Sequence, residues 1–419
     1  MLFAWLVTKT KFFTRTGLSK AQLVILFLLK VMAGIFYGWI GLYYGGMAQM
    51  SDTWAYNAAS VHEYKLLLSD PGEYMSNLFV NPYEGGITNF LTPHNSLWND
   101  LKGNMFIKIL SLFNVFSSGN YYVNVIFYGF VTMVGPVAVF RVMIDLYPGR
   151  RNILLAAAFL VPSFLYWTSG LNKEGLIFTG IGLVVYAIYF SLKEKRFTIG
   201  RALLLLAGLL LVVTLRNFVV VLLLPAILAW VIAARKPGKV PLVFGALYLF
   251  YLLAFFTAKY VHPKFDFPQA VVIKQQQFLK LIGNSTIPIR ELQPNAGSFL
   301  INTPQAINLS TIRPYPSDVQ HILSLAAAIE VNVLLLMFVL FLFFRAPASG
   351  ARAAPYFFVF FSFSLLLAIG FSVNNLGAIV RYRSVIISLL VVPMVARIDW
   401  DRINKLFFKN IINKNNINN

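Results

Sequence analysis

Lys173 and Glu174 stand side by side where an apolar chain leaves them almost no room. They end the run Pro162-Ser163-Phe164-Leu165-Tyr166-Trp167-Thr168-Ser169-Gly170-Leu171-Asn172-Lys173-Glu174-Gly175, between apolar stretches at 153–167 and 176–192. Ions held so close to a bilayer are costly to desolvate and mark functional sites by default. Two readings stand: the pair neutralises itself in a polar hairpin, or it holds a charged ligand. Other residue types along the chain fit the second reading. Asp52, in Met50-Ser51-Asp52-Thr53-Trp54-Ala55-Tyr56, carries a carboxylate that can take a proton from a hydroxyl or ligate a metal. The plainer role for Ser51 or Asp52 is to cap a short surface helix. Arg216, Arg313, Arg381 and Arg383 offer planar guanidinium forks that match phosphate oxygens and keep their charge in poorly hydrated surroundings. Their plainer roles are snorkelling to headgroups for Arg381 and Arg383, and a loop salt bridge for Arg313. His62, Glu63 and His94 share the first polar segment with Asp52. None of them shows a recognised metal-ligand spacing, so neither a metal nor another cofactor is expected. Glu330, with Asn332, falls inside an apolar run, where a basic residue of a neighbouring span is its expected partner.

These residues need elements to position them, and the composition says which. The chain has 419 residues, 58% of them hydrophobic and only 12% charged, with a mean hydropathy of +0.70. Apolar blocks long enough to cross a bilayer predict an all-α polytopic membrane protein. The absence of cysteine excludes disulfides and thiolate metal sites. The net charge of +20 is read as a cytoplasmic excess of Lys and Arg rather than a nucleic-acid surface. No polar stretch approaches the ~100–150 residues of a common soluble domain. One transmembrane domain over 1–400 is therefore expected, with a partly disordered cytoplasmic tail at 401–419.

The periodicity places spans at 21–44, 121–146, 153–167, 176–192, 240–258, 322–344, 356–373 and 384–395. The first is longer than a signal-peptide core and is read as uncleaved. Residues 202–234 would make a helix of ~50 Å, too long for one crossing, so they are read as two spans turning at Leu215-Arg216-Asn217. About ten crossings result, with both termini cytoplasmic. The basic clusters at 193–201, 235–239 and 345–352 and in the tail then all lie on the cytoplasmic side. Two long outer loops with short helices are expected at 45–120 and 259–321, and 105–116 is read as an interfacial stretch too short to span. In this threading Asp52, His94, Lys173, Glu174, Arg216, Arg313, Arg381 and Arg383 all fall on the outer face. Outer arginines beside spans run against the usual charge bias, and their convergence on one cavity would suit a lipid phosphate or pyrophosphate.

Asp52 with Tyr56, the Pro162-to-Glu174 run, Arg313-Pro314-Tyr315-Pro316 with Glu330, and Asn374-Asn375 through Arg381-Tyr382-Arg383 together resemble the polytopic bacterial envelope glycosyltransferases of the GT-C superfamily and the related O-antigen polymerase-like proteins. The resemblance implies sugar transfer from a polyprenyl-phosphate-linked donor to a glycan, lipid or protein acceptor at the outer face of a bacterial inner membrane. It assigns Asp52 as catalytic base. Lys173, Glu174, Arg216, Arg313, Arg381, Arg383 and His94 would line the substrate site. Polymerisation or ligation of lipid-linked oligosaccharides is the alternative enzymatic expectation. Flipping of a lipid-linked sugar is the non-enzymatic one, although no internal repeat of the kind common in transporters is evident.

Overall fold

A chain this apolar must satisfy its backbone polar groups internally, and helices do so within one segment. The computed structural model describes residues 1–44, 52–80, 90, 96–281, 283–346 and 352–407; its regular elements are all helical, with no strand among the described residues. In order these are α1 (Leu2–Lys9), α2 (Lys11–Thr14), α3 (Lys20–Tyr43), α4 (Asp52–Ser69), α5 (Pro71–Ser76), α6 (Leu97–Ser117), α7 (Tyr121–Leu146), α8 (Arg151–Phe159), α9 (Pro162–Trp167) and α10 (Lys173–Glu194). Then follow α11 (Ile199–Leu215), α12 (Asn217–Ala234), α13 (Val240–Thr257), α14 (Phe267–Leu279), α15 (Ala296–Ile307), α16 (Ile322–Phe343), α17 (Ala353–Ser372), α18 (Leu376–Ala396) and α19 (Trp400–Phe407). Eight of these segments are long and apolar enough to cross a membrane: α3, α7, α10, α12, α13 with its short flanking turns, α16, α17 and α18. The apolar helix α11 is shorter.

Polar side chains at the helix starts explain several boundaries. Ser19 opens α3 with a capping box to Gln22, and Asn120, Asn172 and Asn375 accept from the first free N–H groups of α7, α10 and α18. Small residues then let the central helices touch. A Cβ on Gly180 would lie 2.7 Å from the Gly208 carbonyl, and one on Gly182 would lie 2.7 Å from the Gly135 carbonyl. These positions require glycine because α10 meets α11 on one side and α7 on the other through backbone, the usual way membrane helices pack closely. The result has a graded burial: 72% of the α10 and α18 windows is inside the protein, against 11% for α13. Thus α10 and α18 form the axis, and α13 and α16 stand at the rim.

Both ends of this axis are recognisable from their contacts. At one end Lys193 of α10 meets Asp145 of α7, Arg352 donates to the Leu146 carbonyl, and the Arg345–Ala346 strip lies beside Arg397 and Ile398. At the other end lie the starts of α10 and α18 and the junction of α11 with α12, which is the end that carries Lys173.

The elements depart from the sequence reading in four places. The segment 153–167 is not one helix; Pro162 has no N–H and starts a new helix, separating α8 from α9. The last long helix begins at Leu376 rather than 384, so Arg381 and Arg383 are helical residues and not turn residues. The 45–120 segment holds two long helices, α4 and α6, where short pieces were expected. A buried amide ladder pins them together, which the low hydropathy of the segment concealed. Asn124 donates to Asn57 (3.0 Å) and Asn114 (2.6 Å), and Asn114 donates to Ser60 (3.0 Å). Low-dielectric surroundings strengthen such a network once every member has partners. Finally, 105–116 is the interior of α6, whose Lys108 is buried against Glu63 at 2.5 Å and over the Tyr74 ring.

Candidate functional site

Glu174 is fully buried, 0% exposed, in the first turn of α10. A bare carboxylate there would be costly, and two guanidinium groups offset it. Arg381, on α18, grips it with Nε at 2.8 Å and Nη2 at 3.1 Å. Arg216, at the break between α11 and α12, adds a third bond at 2.8 Å. The bidentate fork is the strong geometry for an arginine and a carboxylate. Arg381 also reaches Asp52 at 3.3 Å through Nη1. Asp52 begins α4, and its side chain is 50% exposed, so it forms the open edge of the cluster.

Aromatic rings hold the cations from behind. The Arg216 guanidinium lies 4.3 Å from the Tyr382 ring centre, Arg381 lies 5.6 Å from Trp167, and the Lys173 ammonium lies 4.9 Å from Tyr56. Such contacts stabilise a cation most where water is scarce. Burial, only partly offset by the Arg381 charge, pushes the Tyr56 hydroxyl up to about 12. Tyr56 is therefore a neutral ring and hydrogen-bond donor across the physiological range.

Cations exceed acids here. Lys173 is 9% exposed and has no hydrogen-bond or ion-pair partner among the described residues. Two lysines absent from the sequence reading join it. Lys102, near the start of α6, feels both Arg216 and Lys173; burial, aided by Arg216, holds it below the usual lysine range. Lys274, on α14, is pushed down to about 8 by burial and by the charges of Lys102 and Arg216. Lys102 donates to Asn99 (2.5 Å) and Lys274 to Gln277 (3.3 Å), which are neutral partners. Their positions obscured them in the sequence: both lie in segments read as loops, where a lysine is unremarkable.

Two of the sequence candidates belong to a different cluster. Arg383 is 4% exposed and donates to the Arg313 carbonyl at 2.7 Å. The Arg313 side chain sits 3.6 Å from Asp318 and over the Tyr315 ring, the local loop pair considered above. Glu330 of α16 takes the Ser163 N–H at 2.5 Å and the Ser163 hydroxyl at 2.6 Å, with Arg383 close enough for its charge to be felt. An apolar groove of about 460 Å³ runs along α16 beside Pro316 and Val319, and none of the Glu174 cluster lines it. His94 lies outside the described residues. No group of acids and histidines able to hold a metal occurs among the described residues.

The structure thus brings Asp52, Lys173, Glu174, Arg216 and Arg381 together, with Lys102 and Lys274 added, and places Arg313 and Arg383 apart. Such a group can bind an anion and stabilise negative charge that develops on it, while a half-exposed carboxylate waits at its rim. Compared with known proteins, the chain matches no protein-family model, no curated protein and no solved structure.

Proposed function

We infer that this chain is a membrane glycosyltransferase of the GT-C kind, which binds the phosphate of a polyprenyl-linked sugar donor in the cation cluster and moves the sugar to an acceptor. One observation carries the reading: the Glu174 carboxylate is already taken by Arg216 and Arg381, yet Lys173 adjoins it, Lys102 and Lys274 lie near enough to feel the charge of Arg216, and none of the three lysines is in a salt bridge among the described residues. Like charges brought together in a poorly hydrated place repel one another, and a phosphate would relieve that repulsion. Lys173, Arg216 and Arg381 hold the phosphate and take up the charge that grows on it as the glycosidic oxygen leaves. Asp52 accepts the acceptor hydroxyl proton as the new bond forms. The lipid tail lies among the spans.

The finer topology belongs to the same reading. Eight long apolar helices, the short α11 and the interrupted α8–α9 pair give ten crossings. The positive-inside bias then sets both termini in the cytoplasm of a bacterium, with the cluster at the outer face of the inner membrane.

Asp52→Asn tests the base. Transfer from a polyprenyl-phosphate donor is expected to disappear while the variant still purifies as a folded membrane protein; retained transfer removes Asp52 from that role. A second reading, polymerisation or ligation of lipid-linked oligosaccharides, draws on the contact of Arg381 with both carboxylates, which makes the arginine the centre of the cluster. Loss of activity in Arg381→Lys with retention in Asp52→Asn would favour it.

A further inference from the structure

The short helix α9 has only six residues, from Pro162 to Trp167, and is held from two other helices at its two ends. Pro162 has no N–H, so the first free donor is that of Ser163, and the Glu330 carboxylate of α16 receives it at 2.5 Å. At the far end the Lys30 ammonium of α3 donates to the Thr168 carbonyl at 2.8 Å, with the Thr168 and Ser169 hydroxyls at 3.3 and 3.4 Å. A negative group thus meets the start of the helix and a positive group its end, the arrangement that complements the peptide dipoles. Neither charge pairs with the other; each contacts the backbone of the same element.

The turn after α9 is keyed to α3 as well. Lys30, Gly34 and Tyr37 fall on one face of α3. A Cβ on Gly34 would lie 2.5 Å from the Ser169 carbonyl, and one on Gly170 would lie 2.1 Å from the Tyr37 ring. Directly beyond this turn, Asn172 caps α10, the Tyr128 hydroxyl donates to the Asn172 carbonyl, and Lys173 and Glu174 enter the cation cluster. Trp167, the last residue of α9, is the ring beside Arg381.

We propose that Lys30 and Glu330 are positioning residues that grip α9 from opposite ends and thereby fix the turn that delivers Trp167, Lys173 and Glu174 to the cluster. The bearing of this grip on ligand binding rests on the phosphate-site reading above; its bearing on the turn does not. Amide hydrogen exchange read by mass spectrometry separates the two. In Lys30→Met and in Glu330→Gln, amides of residues 163–173 are expected to exchange ~10-fold faster or more, as local opening becomes easier, with α7 and α17 unchanged. Ser163→Ala, which removes one of the two Glu330 contacts and no charge, is expected to give a smaller increase confined to the same residues. Affinity for farnesyl phosphate in detergent micelles falls in the same order across the three variants. Unchanged exchange at 163–173, or a rise spread equally over all helices, overturns the grip. If the unaltered protein does not bind farnesyl phosphate, the phosphate-site reading falls, and the exchange pattern alone decides the grip.

Discussion

Arg381 and Arg383 stand two residues apart on α18, on opposite sides of its axis, and they enter opposite kinds of surroundings. Around Glu174 the carboxylate is saturated by Arg381 and Arg216, and Lys173, with no salt bridge among the described residues, stands beside it. Around Glu330 the carboxylate is taken by Ser163, while Arg383 donates to a main-chain carbonyl and its Nε and Nη2 find no hydrogen-bond partner among the described residues. The first cluster opens through half-exposed Asp52; the second is closed, with Arg383 at 4% exposure. Residue type alone does not separate the two. The balance of charge at each carboxylate, and whether an outside molecule can reach it, does.

Stability should show the largest contrast. Glu174→Gln leaves two buried guanidinium groups facing an amide, and breaking such a pair costs about 3–5 kcal/mol. Glu330→Gln keeps an acceptor for the Ser163 N–H and should cost about 1.5–3 kcal/mol, the scale of a hydrogen bond to a charged group. Unfolding in mixed micelles measures both, and equal losses would erase the distinction between the clusters. Next comes Lys173→Met. It removes a cation that has no salt bridge among the described residues, so the protein should remain about as stable, while affinity for farnesyl phosphate falls about tenfold or more, the loss of one charge-assisted contact. A variant that unfolds with its binding intact would reverse the roles given to the two clusters.

A pH titration sharpens the same point. Lys274 in the free protein sits at about 8, and a bound phosphate favours its charged form and raises that value. Below pH 8 the lysine is already protonated and binding is insensitive to it. Above pH 8 binding must take up a proton, so affinity should fall by up to about tenfold per pH unit until the bound-state value is passed. Lys274→Gln should flatten this decline. The smallest effect is expected for Asp52→Asn on stability: with a half-exposed side chain, its ion pair with Arg381 contributes less than about 1 kcal/mol. A larger change in the unfolding midpoint would mean that Asp52 is a structural group.

Much of the architecture is visible in hydropathy because lipid imposes a length on every span. The break at Arg216 is a clear case: an apolar run too long for one crossing, with a single charge near its middle, turns there. The interruption at Pro162 was written in the sequence too, since proline cannot donate, but the apolar residues on both sides masked it. The helices α4 and α6 were hidden for a different reason. Their inward faces carry Asn57, Ser60 and Asn114, which read as loop residues unless the partner amides on neighbouring helices are known. For the site, charge against the usual bias singled out Lys173, Arg216 and Arg381. It could not say that Arg383 turns away from Arg381 toward Glu330, because the last span was read as starting at 384, and only in a helix do residues two apart face opposite sides. Lys102 and Lys274 were missed since nothing local in a polar segment reveals a neighbour from another helix.

Whether the cation cluster holds a phosphate is decided by a pair of titrations in the same micelles, one with farnesyl phosphate and one with farnesol. Binding is expected to depend on the phosphate and to weaken about tenfold or more in Lys173→Met. Equal affinity for the two compounds, or no binding of farnesyl phosphate by the unaltered protein, would contradict it.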